Sequence, residues 1–266
     1  MISSATPMTL PPILYHFFKT PLPYARTLAL QEELHSLQLA QRKATGAHKD
    51  ILLLLQHRPV YTGGRRQSEE EIALEHKRLG NIGADFVRTQ RGGQLTYHGP
   101  GQITGYPLLD LGRTTPAMGI RDYICRMQKT IELHLEEAHG IRHIASEHTG
   151  VFLDERTKIG SIGVQVRHRL TTHGFAFNVT REPLPWFDEV VACGLEDVKA
   201  GCIEEAVGKK LSVEGEIPGL VERFGRLYGR TMVEMDVGKE GEAGKLISAL
   251  EAEAESMPAP LQAPQT

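Results

Sequence analysis

The segment at residues 91–111 constrains the fold more than any other part of this chain. It reads RGGQLTYHGPGQITGYPLLDL and places five glycines among alternating apolar and polar residues. Glycine loses more conformational freedom on folding than other residues, so a glycine-dense segment marks tight turns or a close approach of a ligand to the backbone. The pattern predicts strands at residues 94–98 and 102–106, joined by a turn at 99–101. A glycine-bent hairpin without a ligand and a ligand-binding surface both fit this pattern.

The rest of the chain predicts separate helices and strands. Apolar residues recur with a helical period in three segments, residues 24–43, 118–139 and 217–228. Apolar or alternating runs predict four further strands, at residues 51–55, 151–154, 158–167 and 172–179. Isolated strands, a meander and separate helices indicate an α+β fold with a mixed β-sheet flanked by helices.

Composition excludes several classes of protein. The net charge of −3 argues against a nucleic-acid binder held by global charge. Three cysteines give no disulfide framework. No apolar run approaches the roughly 18 residues of a membrane-spanning helix. Residues 237–266 are rich in Glu, Ala and Pro, which predicts an acidic tail that is disordered over 257–266.

Three stretches, in this order, carry a resemblance to a known family. They are the glycine segment, the pair KIGSIGVQV (158–166) and THGFAFN (172–178), and ACGL (192–195). Together they resemble the signature of the lipoyl(octanoyl) transferases. The resemblance covers about residues 12–230 and has one departure, because Ala192 stands where many bacterial members carry a proline.

The resemblance implies a biotin/lipoate protein ligase-like catalytic domain at residues 12–236. It implies an acyltransferase that moves an octanoyl group from octanoyl-acyl carrier protein to a lysine of lipoyl domains, the first step of de novo protein lipoylation. The implied acceptors are proteins such as the glycine cleavage H protein and the E2 subunits of 2-oxoacid dehydrogenases. No cofactor is implied.

The resemblance assigns Cys193 as the nucleophile. A thiol with a pKa of about 8.5 is only a few per cent thiolate at neutral pH, so it needs a nearby base or positive charge. Its attack on the carrier thioester gives a new thioester of similar energy, which stays reactive toward an amine. From the residues alone, a Cys-Gly pair in an apolar loop is more often structural. Cys125 and Cys202 are interpreted as structural or inert.

The resemblance assigns Lys158 as the general base. An exposed lysine with a pKa of about 10.4 is a poor base, but burial lowers that pKa. Lys158 would take the proton of Cys193, return one to the leaving thiol and deprotonate the incoming lysine. Without the resemblance, Lys158 is a solvated turn residue, and a histidine is the rival base. The roles of His98 and His173 stay open, with His98 ranked as a pocket or orienting residue.

The acyl chain is expected to lie between the glycine segment and the two later strands. The predicted substrate-binding residues are Arg91, Gly92, Gly93, Gln94, Leu95, Thr96, Tyr97, His98, Ser161, Ile162, Gly163, Gly174, Phe175 and Ala176. Basic residues near these segments predict a rim that attracts acidic carrier proteins and lipoyl domains, and they lie at positions 57–58, 65–66, 88, 91 and 167–169. No HExxH or paired CxxC arrangement occurs, so no metal is expected.

Two other functions stay open on the sequence. An ATP-dependent lipoate or biotin protein ligase would activate its acid as an adenylate and would not need Cys193, and a non-catalytic binder of acyl-carrier or lipoyl domains would need no reactive residue at all. The first 31 residues contain Lys19 and Arg26 but no Asp or Glu, which favours a mitochondrial targeting segment, with the bacterial cytoplasm as the alternative. The Val191-Ala-Cys193 variant favours a fungal mitochondrial member.

Overall fold

The computed structural model describes residues 10–80, 82–190, 194 and 197–262. Over these residues the strands are β1 (Ile13–Phe17), β2 (Asp50–Leu55), β3 (Val60–Gly63), β4 (Asp85–Arg88), β5 (Thr96–His98), β6 (Gln102–Leu108), β7 (Val151–Asp154), β8 (Thr157–Arg167), β9 (Leu170–Asn178), β10 (Lys199–Ala200) and β11 (Met232–Glu234). The helices are α1 (Tyr24–Thr45), α2 (Glu69–Leu79), α3 (Ile120–His139), α4 (Leu184–Asp188), α5 (Ile203–Val207), α6 (Val213–Tyr228) and α7 (Gly241–Glu255).

Two sheets organise the molecule. The larger is eight-stranded and mixed, in the order β10-β8-β9-β6-β2-β1-β11, with β7 also paired to β8. The smaller is three-stranded, in the order β4-β3-β5. Separate helices and a mixed sheet make this an α+β fold, as the sequence predicts.

The central strands of the larger sheet, β2, β6 and β9, are buried on both faces. Leu52 and Leu54 of β2 pack into the core under α3 and α6, while Leu53 and Leu55 pack into a second core under α1 and α7. Because successive strand residues point to opposite faces, a strand covered on both sides must be apolar throughout. This explains the continuous run at residues 51–55.

Helix α3 ends at His139, as the sequence predicts, and α1 ends at Thr45, two residues beyond the predicted end at about Lys43. Gly46 follows α1 with φ 75° and Gly140 follows α3 with φ 65°. Their left-handed conformation closes each helix, because glycine carries no Cβ that would clash there.

The glycine segment does not form the predicted hairpin. Strand β5 pairs with β3 in the small sheet, whereas β6 pairs with β2 and β9 in the large one. Both edges of β6 are therefore occupied, and β5 cannot pair with it. The turn between them carries the chain from one sheet to the other. Gly101 is required in this turn because its φ is +82° and a Cβ there would lie 2.2 Å from Thr180 Oγ1.

The C-terminal segment contributes a helix that the sequence analysis did not identify. Helix α7 packs against α1 and buries Ile247, Leu250 and Ala254, which follow one another at helical spacing. Arg26 of α1 also forms an ion pair with Glu253 at 2.8 Å. Of the helices described here, none is long and apolar enough to cross a membrane.

Candidate active site

A cavity of about 490 Å³ lies between the glycine segment and strands β6, β8 and β9. Ser161, Ala176 and Thr104 stand in register on β8, β9 and β6, and all three line it. The row crosses two strand spacings, which is about 10 Å. Small side chains in a row leave an elongated space along the sheet that suits an extended chain.

The glycines around this cavity let backbone segments approach one another. A Cβ at Gly174 would lie 2.2 Å from the carbonyl oxygen of Gly105, and one at Gly163 would lie 2.8 Å from that of Gly92. The amide of Gly92 donates to the carbonyl oxygen of Val164 at 3.1 Å. The glycine segment is therefore docked directly on β8, the strand that carries Lys158.

Arg91 holds the glycine segment in shape. Its side chain is buried, and its Nη2 donates to the carbonyl and hydroxyl oxygens of Thr62, both at 2.7 Å, and to the carbonyl oxygen of Gln94 at 3.0 Å. No described carboxylate forms an ion pair with it. A buried guanidinium that donates to neutral oxygens keeps its positive charge beside the cavity.

Both histidines of the site are held neutral. Burial, followed by the charge of Arg91, lowers the pKa of His98 to about 3 and that of His173 to about 3. His98 Nδ1 lies 2.7 Å from Gln102 Oε1, to which it donates. A group with so low a pKa is a poor base for a thiol, which argues against a histidine in that role and favours orientation as the task of His98.

Lys158 lies on strand β8 and lines the cavity, so it is not a turn residue. Its Nζ donates to the carbonyl oxygen of Thr149 at 3.2 Å and lies 5.4 Å from the centroid of the Phe152 ring. A Cβ at Gly150 would lie 2.5 Å from Lys158 Cε, and the φ of Gly150 is +140°. The path of the lysine side chain therefore depends on a glycine at position 150.

Cys193 lies outside the described residues, as do its neighbours Val191 and Ala192. The residues on either side of the loop are placed. Gly194 packs on the glycine segment, since a Cβ there would lie 2.2 Å from Gln94 Oε1. After the loop, β10 pairs with β8, and the amide of Gly201 donates to the carbonyl oxygen of Lys158 at 2.9 Å.

The other two cysteines have ordinary environments. Cys125 is exposed on α3. Cys202 is buried, and burial raises the pKa of its thiol. A raised pKa leaves less thiolate, so Cys202 is a poor nucleophile.

Most of the predicted site residues meet at this cavity. Those that line it are Arg91, Gly92, Gly93, Gln94, Thr96, His98, Lys158, Ser161, Ile162, Gly163, Gly174, Phe175 and Ala176. Leu95 and Tyr97 do not line this cavity, because they pack in a separate cluster where Tyr97 stacks on Trp186 at 5.3 Å between ring centroids. Strand alternation sends them to the face opposite Thr96 and His98.

Sequence reasoning missed several residues of the cavity wall. Tyr24 and Tyr106 line it, and the hydroxyl of Tyr106 lies 2.6 Å from His57 Nε2. Ile120 and Ile124 of α3 also line it. The exposure of Ile120 is visible only in the structure, and nothing in the sequence brings Tyr24 and Tyr106 together.

The fold is similar to that of a lipoate-protein ligase of known structure. A crystal structure of lipoate-protein ligase A bound with ATP has a similar fold, with a TM-score of 0.66 at 17% identity over 92% of this chain and 94% of that chain. At this identity the likeness establishes the fold alone, and it confirms the predicted ligase-like architecture.

Sequence relatives narrow the class. The family model described as lipoyl protein ligase A/B catalytic domain matches residues 23–225, and the chain belongs to that family. An octanoyltransferase of Caldicellulosiruptor saccharolyticus is 37% identical over 208 residues, 77% of this chain and 85% of the relative. The mitochondrial octanoyl-[acyl-carrier-protein]:protein N-octanoyltransferase LIPT2 of Danio rerio is 36% identical over 205 residues, 74% of this chain and 89% of the relative. These matches confirm the predicted family. They also confirm the predicted kind of enzyme, an acyltransferase that transfers octanoyl groups.

Proposed function

We propose that this acyltransferase moves an octanoyl group from octanoyl-acyl carrier protein to a specific lysine of lipoyl domains through a thioester on Cys193. One observation carries the proposal: Gly194, the residue after Cys193, and Gly201, further along the chain, both contact residues that line the cavity of Lys158. Gly194 packs on Gln94, and Gly201 is hydrogen-bonded to the backbone of Lys158. The proposal puts the Cys193 thiol beside the amine of Lys158.

In the first half-reaction, Lys158 takes the proton of the Cys193 thiol. The thiolate attacks the carbonyl carbon of the octanoyl thioester, the bond from that carbon to the carrier sulfur breaks, and the carrier leaves as a thiol after receiving the proton from Lys158. The hydrogen bond from Lys158 Nζ to the carbonyl oxygen of Thr149 fixes the direction of the amine.

In the second half-reaction, the lysine of the lipoyl domain attacks the acyl carbon on Cys193. Lys158 accepts a proton from the incoming ammonium and releases it to solvent, and the free amine forms a C–N bond with the acyl carbon. The C–S bond to Cys193 then breaks, and the second proton of the attacking nitrogen passes through Lys158 to the sulfur, which regenerates the thiol. The product is an amide, which is more stable than the thioester it replaces.

The cavity accounts for the length of the acyl group. The row of Ser161, Ala176 and Thr104 offers an extended path that starts on the strand of Lys158. Burial of seven carbons beyond the carbonyl contributes roughly 5 kcal/mol at about 0.8 kcal/mol per methylene.

The basic rim is narrower than the sequence suggests. His57 and Arg91 are buried, Arg88 pairs with Glu69 at 2.8 Å, and Arg167 pairs with Glu32 at 2.6 Å. Each of these side chains is therefore unavailable as a free surface charge.

Arg65 and Arg66 are exposed cations at the cavity mouth. Neither forms an ion pair with another described residue. An acidic acyl carrier protein or lipoyl domain is the complementary partner. The proposed acceptors are the glycine cleavage H protein and the E2 subunits of 2-oxoacid dehydrogenases.

The proposed compartment is the mitochondrion. Mitochondrial and bacterial relatives both match this chain, so the bacterial cytoplasm is the alternative. The acid-free stretch over the first 31 residues supports the mitochondrial choice. Protease protection of the tagged full chain in isolated mitochondria tests it, and a protein that stays wholly outside the organelle would contradict it.

The acyl donor decides between a transferase and a ligase. Purified protein, a lipoyl domain and octanoyl-acyl carrier protein should yield octanoylated domain without ATP. Octanoate with ATP should yield none, because the proposed chemistry contains no adenylate. Modification that requires ATP and survives Cys193→Ala would favour the ligase instead.

A further inference from the structure

Three side chains with metal-binding atoms meet where α3 ends and α6 begins. His134 Nε2 lies 2.8 Å from Glu216 Oε2, and His139 Nε2 lies 2.7 Å from the same oxygen. One ligand atom from each residue lies within 4.8 Å of the other two. Ligands bound at about 2.1 Å around a tetrahedral Zn²⁺ ion are separated by about 3.4 Å, so a small movement of each side chain would admit an ion.

The three side chains of the cluster are almost completely buried from solvent. The side chains of His134 and Glu216 are 1% and 9% exposed, and the His134 ring lies 5.7 Å from that of Phe177. His139 lies at the outer edge, on the last turn of α3 next to Gly140. The His139 side chain is 9% exposed, and an ion would have to enter past it. None of the three residues lines the acyl cavity.

The charges suit a divalent cation. Glutamate carries a negative charge at neutral pH, which favours binding of a cation. Two imidazoles and one carboxylate are a frequent zinc ligand set, with water in the fourth position.

We propose that His134, His139 and Glu216 bind a Zn²⁺ ion that ties α3 to α6. The ion would hold α3 against β8, the strand that carries Lys158, and against the neighbouring β7, without entering the reaction. The sequence analysis expected no metal because it sought contiguous motifs. Here the glutamate lies 82 and 77 residues from the two histidines, and only the fold joins them.

Zinc binding and thermal unfolding of the full chain test the proposal. In a Cys193→Ser background, which removes a competing thiol, competition with a chromophoric chelator should give one Zn²⁺ per chain. Zinc at about 100 times its dissociation constant should raise the Tm by about 5 °C or more. Both effects should disappear in His139→Gln and should persist in the control His76→Gln, an exposed histidine of α2.

A second variant keeps the test decisive if His139→Gln folds poorly. Glu216→Gln preserves the shape of the side chain and removes its charge, and it should weaken zinc binding by at least tenfold. Equal zinc affinity in the parent and either variant would overturn the proposal. Absence of zinc binding by the parent would overturn it as well, and would leave the cluster as a hydrogen-bonded clamp.

Discussion

Replacement of Lys158 separates the basicity of its amine from its positive charge. Lys158→Met keeps most of the chain length and removes the amine, whereas Lys158→Arg keeps a cation that can still donate to the carbonyl oxygen of Thr149. Arginine has a pKa above about 12 and cannot act as a base. If Lys158 transfers protons, both variants should load octanoyl groups more slowly by about 10²–10⁴-fold, which corresponds to roughly 2.7–5.4 kcal/mol.

Loss of folding should not explain this decrease. Lys158 makes a hydrogen bond to Thr149 and lies over the Phe152 ring at 5.4 Å. Loss of such contacts costs about 1–2 kcal/mol, or a Tm decrease of roughly 2–8 °C, which leaves the protein folded at 25 °C. Single-turnover loading from octanoyl-acyl carrier protein measures the chemical step, and alkylation of Cys193 by iodoacetamide reports its thiolate.

The arginine variant decides the role of the lysine. If Lys158 transfers protons, Lys158→Arg should load as poorly as Lys158→Met. If only the positive charge matters, Lys158→Arg should keep part of the Cys193 thiol as reactive thiolate and should load faster than Lys158→Met. Loading by Lys158→Arg within tenfold of the parent would refute proton transfer by Lys158. It would show that Lys158 acts through its positive charge alone.

Three further predictions follow from the cavity and its surroundings. Ala176→Val should exclude about two methylenes and lower kcat/KM for octanoyl relative to hexanoyl donors by about 15-fold, and an unchanged ratio would place the acyl chain elsewhere. His98 has a pKa of about 3 in the folded protein and about 6.5 unfolded, so the unfolded state binds the extra proton and stability is lost as pH falls from about 6.5 toward 3. Between pH 7 and pH 5, His98→Gln should therefore lose about 2 kcal/mol less stability in urea unfolding than the parent, and equal losses would show that His98 titrates normally. Arg65→Glu with Arg66→Glu should slow transfer from octanoyl-acyl carrier protein but not from a small octanoyl thioester, and an equal loss with both donors would show that these charges do not serve docking.

Local patterns in the sequence were sufficient for much of the secondary structure. The helical spacing that ends at Gly140 and the apolar run of β2 are local features, and both predict the observed elements. Pairing between strands was not local, because the partner of β5 is β3, more than 30 residues earlier in the chain. The glycines of the segment were compatible with a hairpin, and only the occupied edges of β6 exclude it.

The candidate site could also be predicted only where local sequence patterns determine it. Period-two alternation required Thr96 and His98 to share a face, but it did not say which face borders the cavity. The sequence analysis therefore assigned Leu95 and Tyr97 to the site as well. Tyr24 could not be found, since its position depends on how α1 packs over the large sheet.

The covalent intermediate on Cys193 is the central claim, and intact mass spectrometry tests it most directly. The protein is mixed with octanoyl-acyl carrier protein without acceptor, and the adduct is mapped, treated with hydroxylamine and chased with a lipoyl domain. The account predicts one octanoyl group on Cys193 that hydroxylamine removes and the lipoyl domain accepts. Cys125→Ala and Cys202→Ala should retain the adduct, and Cys193→Ala should lose both adduct and transfer. A stable octanoyl adduct or undiminished transfer in Cys193→Ala would contradict the account.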